Sequence, residues 1–350
     1  MPTRKPSDRR NSPVFIVGCH RSGTNLLYDM LMSSGGFAIY RGLLPIHKVL
    51  VPRYGSMSNR ANLERILAIF LRSKGFRRTG LGAEQVSSRI LNECRTAGDF
   101  IRVVMNSVAR HQNVDRWAVY DPDNVLHVEY LKTEIPNALF VHIIRDGRDI
   151  ALSLKKMGGF APLPWDRSET NSLVATSLYW EWMVRSGHAA GRRIPGDYIE
   201  IRYEDLITNP RDTLARLGGF IDHDLDYDRI QRAGLGRLSE TNSSFREEGK
   251  ENINPLGRWK ERLSSANIAA IEGTVGACLE ENGYELSLPE AERRTSLRSS
   301  WMRAVYPAFL GGKLWLKLNT PLGRFANLSE LELAETPGQA SNPADPEKVP

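Results

Sequence analysis

Three groups of residues in this chain have the types and spacing to hold a phosphorylated ligand. The first is FIVGCHRSGTN, residues 15–25, where a short apolar run enters a loop with Gly18 and Gly23. A strand-to-helix turn of this kind aims backbone N–H groups and the positive end of a helix at an anion. The phosphate loop of ATPases then requires Lys followed by Ser or Thr, to neutralise a triphosphate and hold Mg²⁺. Here those slots hold Thr24 and Asn25. Asn25 is a poor replacement for the metal-binding hydroxyl, so metal-assisted phosphoryl transfer is disfavoured. Arg21, Ser22 and Thr24 remain as donors for another anion. The plain alternative is a tight turn that only packs a helix on a sheet.

The second group is HIIRDGRDIALSL, residues 142–154. Arg145 falls where a buried strand must end, and Asp146-Gly147 signals a turn. Ile150, Leu154 and Met157 give the next helix its apolar face. Ser153 follows Arg145 by eight residues, so a strand-end cation and an early-helix hydroxyl can meet at the carboxyl edge of a sheet, where open α/β sheets bind ligands. Against this, Arg148 and Asp149 read equally as a solvated ion-pair cluster. The third group, NINPLGRWKERLS at 252–264, sets Arg258 and Lys260 beside Gly257. These cations suit closure over a phosphate. An exposed basic loop with Trp259 plugging the core is the simpler reading of that segment alone.

The elements that must position these residues are legible from periodicity. Strands are expected at 13–19, 117–120, 138–144 and 197–203, and helices at 25–34, about 148–157, about 170–192 and 210–220. Residues 53–115 look mostly helical, with Leu63, Ile66, Leu67 and Phe70 on one face. Strands alternating with helices argue for a parallel α/β sheet with right-handed crossovers. Beyond residue 289 the character changes: aromatic and basic residues mix to about 330, and then a Pro-rich polar stretch reads as disordered.

Composition narrows the function classes. With 350 residues, 41% hydrophobic and 25% charged, the chain is an ordinary globular sequence. A net charge of +6 without a dense basic tract fits a small polyanionic ligand better than nucleic acid. Cys19, Cys94 and Cys278 form neither a metal-ligand spacing nor a disulfide framework, which points to a reducing compartment. The first twelve residues lack the apolar run of a signal peptide, and no stretch reaches the ~18 apolar residues of a membrane span. The expectation is a cytoplasmic protein.

These motifs in this order, with IRYEDLITNP at 201–210, resemble the sulfotransferases of the bacterial and Golgi-type superfamily, which use 3′-phosphoadenosine 5′-phosphosulfate (PAPS). The resemblance spans roughly residues 13–285. It implies a P-loop-containing nucleoside triphosphate hydrolase-like three-layer fold over 13–288. A helical insertion (about 53–115), a C-terminal helical extension (289–330), a flexible start (1–12) and a disordered tail (331–350) complete the expected layout. It further implies that Arg21, Ser22, Gly23, Thr24 and Asn25 cradle the 5′-phosphosulfate, with Arg21 also acting catalytically. Arg145 and Ser153 would take the 3′-phosphate, Tyr203 would serve as the adenine-side aromatic, and Arg258, Trp259 and Lys260 would close over the nucleotide. No metal is expected, since a sulfuryl group carries less charge than a phosphoryl group. The acceptor would be a small molecule, glycan or lipid bearing a hydroxyl or amine.

The chain departs from the family pattern on the acceptor side. The segment 39–48 lacks the Glu that relatives place there, and Tyr120-Asp121-Pro122-Asp123-Asn124 replaces a Lys-Thr-Pro-like motif. The base that takes the acceptor's proton is then sought among His47, Asp121 and Asp123, with His127 further off; His47 and Asp121 lead. A protein that binds PAPS without turnover, or a P-loop kinase, are the alternative readings. The segment 296–324, with Trp301, Tyr306, Phe309 and Trp315 among basic residues, reads as a helix packed on the body or touching a membrane surface.

Overall fold

The computed structural model describes residues 9–157, 168–233, 255–293 and 296–333. The start of the third basic segment and the polar tail beyond 333 lie outside them. Five strands, β1 (Val14–Gly18), β2 (Phe37–Ala38), β3 (Arg116–Tyr120), β4 (Leu139–Ile144) and β5 (Tyr198–Arg202), form one parallel sheet. Their spatial order is β2-β3-β1-β4-β5. Side chains alternate across it: Val14 and Ile16 enter one core, Phe15 and Val17 the other. Leu139, Val141 and Ile143 of β4 join the first, and Phe140 and Ile144 the second. Both strands are buried throughout. A strand covered on both faces needs apolar residues at every position, which is why 138–144 shows no alternation.

Helices cover both faces, giving three layers. On one side lie α1 (Thr24–Ser33), α8 (Tyr203–Thr208), α9 (Pro210–Ile221) and α10 (Tyr227–Ala233). The other carries α2 (Arg60–Leu71), α3 (Ala83–Glu93), α4 (Ala97–His111), α5 (Val128–Glu134), α6 (Gly147–Lys156), α7 (Glu169–Arg193), α11 (Ser265–Glu281) and α12 (Leu297–Asn319). The expected helical stretch is α2 to α4, which buries Leu63, Ile66, Leu67 and Phe70 as one stripe. Thr96 and Asp99 close a reciprocal cap at the start of α4.

The fold prepares a ligand site where β1 ends. The chain runs from β1 to β2 and β3 on one side, then crosses to β4 on the other, so the loops at the carboxyl end of β1 diverge. Close packing fixes the rim. Trp180 of α7 is fully buried and donates from Nε1 to the Arg145 carbonyl at 3.0 Å. A Cβ at Gly147 would meet the Trp180 ring at 2.6 Å, so only glycine lets α6 start there. Cys19, Cys94 and Cys278 are buried and free. Among the described residues no helix is long and apolar enough to cross a membrane.

Candidate active site

The loop 19–23 joins β1 to α1 through backbone conformations that few side chains tolerate. Gly18 has φ 153°, and a Cβ there would lie 2.4 Å from the Ile143 carbonyl oxygen of β4. Gly23 caps α1 at φ 99°, and its Cβ would strike the Tyr203 ring at 2.4 Å. Arg21, between them, holds φ 73° without glycine's freedom. Strain of this sort costs on the order of 1–3 kcal/mol and is kept where the surroundings enforce it. Ser22 and Thr24 are buried, whereas Asn25 is exposed at the first turn of α1. The Ser22 hydroxyl makes no hydrogen bond among the described residues.

Around this loop the structure gathers the cations that the spacing pointed to. Arg21 donates from Nε to the Ser153 hydroxyl of α6 at 3.1 Å. Arg145, at the end of β4, donates to the Arg21 carbonyl at 3.2 Å and to the Pro255 carbonyl at 2.5 Å, while its Nε stays buried without a partner. Asp149 is the nearby counter-charge, 3.7 Å from Arg145. Its carboxylate also accepts the Gly257 and Trp259 backbone N–H groups, each at 3.0 Å, and so ties the third basic segment to the first turns of α6. Burial, and then the charge of Arg145, pull the guanidinium of Arg21 below its ordinary value; the same two causes act on Arg258. Three like charges thus crowd one loop around an unpartnered buried hydroxyl. That arrangement is costly by itself and is relieved by an anion.

Several residues near the cations are supports. Arg148 is buried in an ion-pair network with Asp146 at 2.8 Å and Glu272 at 2.6 Å, and lies 3.8 Å over the Trp259 ring. The cluster of Arg148 and Asp149 is therefore internal, and the reading of it as solvated is corrected. Trp259 is 3% exposed, which makes it the core plug. Lys260 is exposed, 5.6 Å from that ring. Tyr203, expected to face adenine, is 5% exposed, with Arg145 over its ring at 4.4 Å and Gly23 against it. Its ring thus packs against both the loop and the cation.

Both leading candidates for the base, His47 and Asp121, are buried. His47 is 5% exposed, wedged edge-on to His127 at 4.8 Å and parallel to Tyr130 at 5.9 Å. Burial, followed by the charges of His127 and Lys48, pushes its ring well below the usual imidazole range. A ring sealed in this way has no open face for an acceptor. Asp121 is equally buried and is held by the Lys48 ammonium at 2.9 Å and by the Asp123 N–H at 3.2 Å. Lys48 is the residue that motif reading missed. A single π-type turn, Ile46–Leu50, carries it inward, where it also meets Asp123 at 3.2 Å and Glu330 at 2.9 Å. Burial disfavours the Lys48 charge, but Asp121, Asp123 and Glu330 outweigh it and the net shift is upward.

The same network reaches the anion loop through His20. Its Nε2 lies 2.9 Å from Asp123 Oδ1, and its side chain is 44% exposed. Burial holds Asp123 back from ionising, yet His20 and Lys48 more than offset it and keep the group a carboxylate. A carboxylate can only accept, so Nε2 carries a proton, and in the neutral ring Nδ1 keeps its lone pair. Burial opposes a charge on His20, but Asp123 prevails and raises its value. His127, the distant candidate, is pushed down to about 4, first by burial and then by Lys48.

The chain resembles known proteins in sequence and fold. Residues 13–227 match the profile described as "Sulfotransferase family". A putative protein-tyrosine sulfotransferase of Caenorhabditis elegans is 23% identical over 194 residues, covering 54% of this chain and 73% of that protein. Among solved structures, the sulfotransferase domain of the Synechococcus PCC 7002 olefin synthase aligns at TM-score 0.49 with 19% identity, over 83% of this chain and 100% of that one. The sulfotransferase domain of the curacin biosynthetic pathway aligns at TM-score 0.49 with 16% identity, over 79% and 98%. With the matched profile covering 13–227, the loop, the sheet and the Arg145 strand end included, this chain belongs to the sulfotransferase family.

Proposed function

We propose that the protein transfers a sulfuryl group from PAPS to a hydroxyl or amine of an acceptor. The observation that carries the reading is the gathering of Arg21, Arg145 and Arg258 around a loop whose buried Ser22 hydroxyl has no partner among the described residues. The residues fit the donor. The Ser22 hydroxyl and the backbone N–H groups of 23–25 would hold the 5′-phosphate at the start of α1. Arg145, Ser153 and Arg258 would take the 3′-phosphate, and Lys260 would add a cation at the surface. When bound, PAPS supplies an activated sulfuryl group whose departure leaves charge on a phosphate oxygen. Arg21 is placed in the loop to stabilise that charge. His20, with Nε2 committed to Asp123, offers Nδ1 to the acceptor's proton.

Arg145→Ala tests the donor site. Titration calorimetry in the presence of EDTA should show binding of adenosine 3′,5′-bisphosphate well above that of adenosine 5′-phosphate. The substitution should weaken the first by at least about tenfold, the value of a lost charge-assisted contact, and leave the second nearly unchanged. Equal affinity of the wild-type protein for the two nucleotides would remove the reading.

A further inference from the structure

Seven of the ten large hydrophobic side chains exposed among the described residues fall between 297 and 325: Leu297, Trp301, Phe309, Trp315, Leu316, Leu322 and Phe325. Helix α12 explains why. Met302, Tyr306 and Leu310, four residues apart, are buried against the body. A second apolar stripe, Leu297, Trp301, Ala308, Gly312 and Trp315, follows the same helical period about half a turn away and faces outward. The chain continues the outward face past the end of α12. A 3₁₀ turn, Pro321–Phe325, folds back with Gly323 seated so closely that a Cβ would lie 2.6 Å from the Pro52 carbonyl. Arg53 donates to the Ala326 carbonyl at 2.6 Å. Leu322 and Phe325 are therefore held out by a fixed turn, and with Phe309, Gly312 and Leu316 they line an apolar groove rimmed by Lys313 and Lys317.

Charge identifies the occupant. From residue 293 to residue 329 there is no Asp or Glu, while Arg298, Arg303, Lys313, Lys317 and Arg324 all lie within that span. Arg303 is engaged with the body, 3.9 Å from Glu181. The half-buried Arg298 lies 5.4 Å from the Trp301 ring, and the exposed Arg324 lies 4.8 Å from the Phe325 ring, so cations and aromatic rings sit side by side. Outward Trp and Phe, a basic rim and an absence of acids match a face lying in the headgroup layer of an anionic bilayer. A second copy of this chain would bring equal positive faces together, and a basic peptide partner would be repelled. We propose that α12 and the turn 321–325 form a docking surface for an anionic lipid bilayer, independent of the reaction proposed above.

Vesicle sedimentation of the full chain decides this, using phosphatidylcholine alone and phosphatidylcholine mixed with phosphatidylglycerol. The expected result is binding to the mixed vesicles, weakened by salt, with a blue shift of tryptophan emission. Lys313→Glu with Arg324→Glu should weaken it at least about 25-fold, since each surface cation contributes roughly a factor of five. Trp315→Ser with Phe325→Ser should abolish the blue shift while leaving the melting temperature and nucleotide binding unchanged. Failure to bind the mixed vesicles overturns the proposal. So does binding that both pairs of substitutions leave intact, or a concentration-dependent dimer that these substitutions dissolve.

Discussion

His20 illustrates how a side chain acquires a role that its neighbours in sequence do not announce. In the sequence it is one loop residue before Arg21; in space its Nε2 meets Asp123, a hundred and three residues away. Asp123 both orients the ring and raises its basicity, as second partners of a histidine do. His20→Gln should cut turnover about 10²–10⁴-fold, the usual worth of a general base, with little change in nucleotide affinity. In the wild type, turnover should fall as pH drops through the raised value of His20. Asp123→Asn should move that fall to lower pH, read from the pH profile of kcat/KM. An unchanged profile in both variants would show that His20 only props the loop. Arg145 was legible because spacing along strand and helix fixes where it emerges, whereas Arg21 and Arg258 stood out through the motifs that resemble the sulfotransferases. Lys48 and His20 were not, because long-range partners define them.

At the level of elements, the anion loop is narrow in its tolerance. Gly23 holds φ 99° with the Tyr203 ring where a methyl would go. Gly23→Ala should destabilise the fold by about 1–3 kcal/mol through strain and overpacking. It should also weaken nucleotide binding by displacing Tyr203 and, through it, Arg145. Urea denaturation and calorimetry would separate the two effects, and an alanine variant that keeps full stability would refute the packing argument. The apolar run of β4 and the stripe Leu63, Ile66, Leu67 and Phe70 of α2 could be read directly, whereas Met157, expected on the apolar face of α6, is exposed at the end of that helix, which buries Ile150, Ala151 and Ser153 instead. Strand β2, two residues long, and the π turn at Ile46–Leu50 are too short to carry a period. The π turn is marked by a Leu50 N–H bond to the Pro45 carbonyl at 3.2 Å, a signal visible only in three dimensions.

The molecule as a whole keeps several imidazoles dry. His127 is pushed from 6.5 to about 4, and burial also lowers His47 and His142, the latter walled by Gly187 of α7. For a base whose folded value is depressed, the unfolded chain binds protons first. The stabilisation is complete above pH 6.5 and is lost as pH falls toward 4. His20, raised, acts in the opposite sense: its contribution is present below 6.5 and is lost as pH rises through its folded value. Three buried rings outweigh one half-exposed ring. The protein should therefore lose up to about 1.4 kcal/mol per pH unit for each buried imidazole between pH 6.5 and 4. Denaturant midpoints across that interval check this, and a flat profile would show that these rings ionise as freely folded as unfolded.

The ammonium of Lys48 has a further consequence. Its carboxylate partners are numbered 121, 123 and 330, so the buried charge is balanced by groups made at very different moments of synthesis. A nascent chain that has emerged as far as residue 300 already holds the matched profile region, yet it lacks the third partner of Lys48. The balance of this buried charge is thus completed by a residue that lies beyond the matched profile region, so the environment of Lys48 is assembled only after that region has been made.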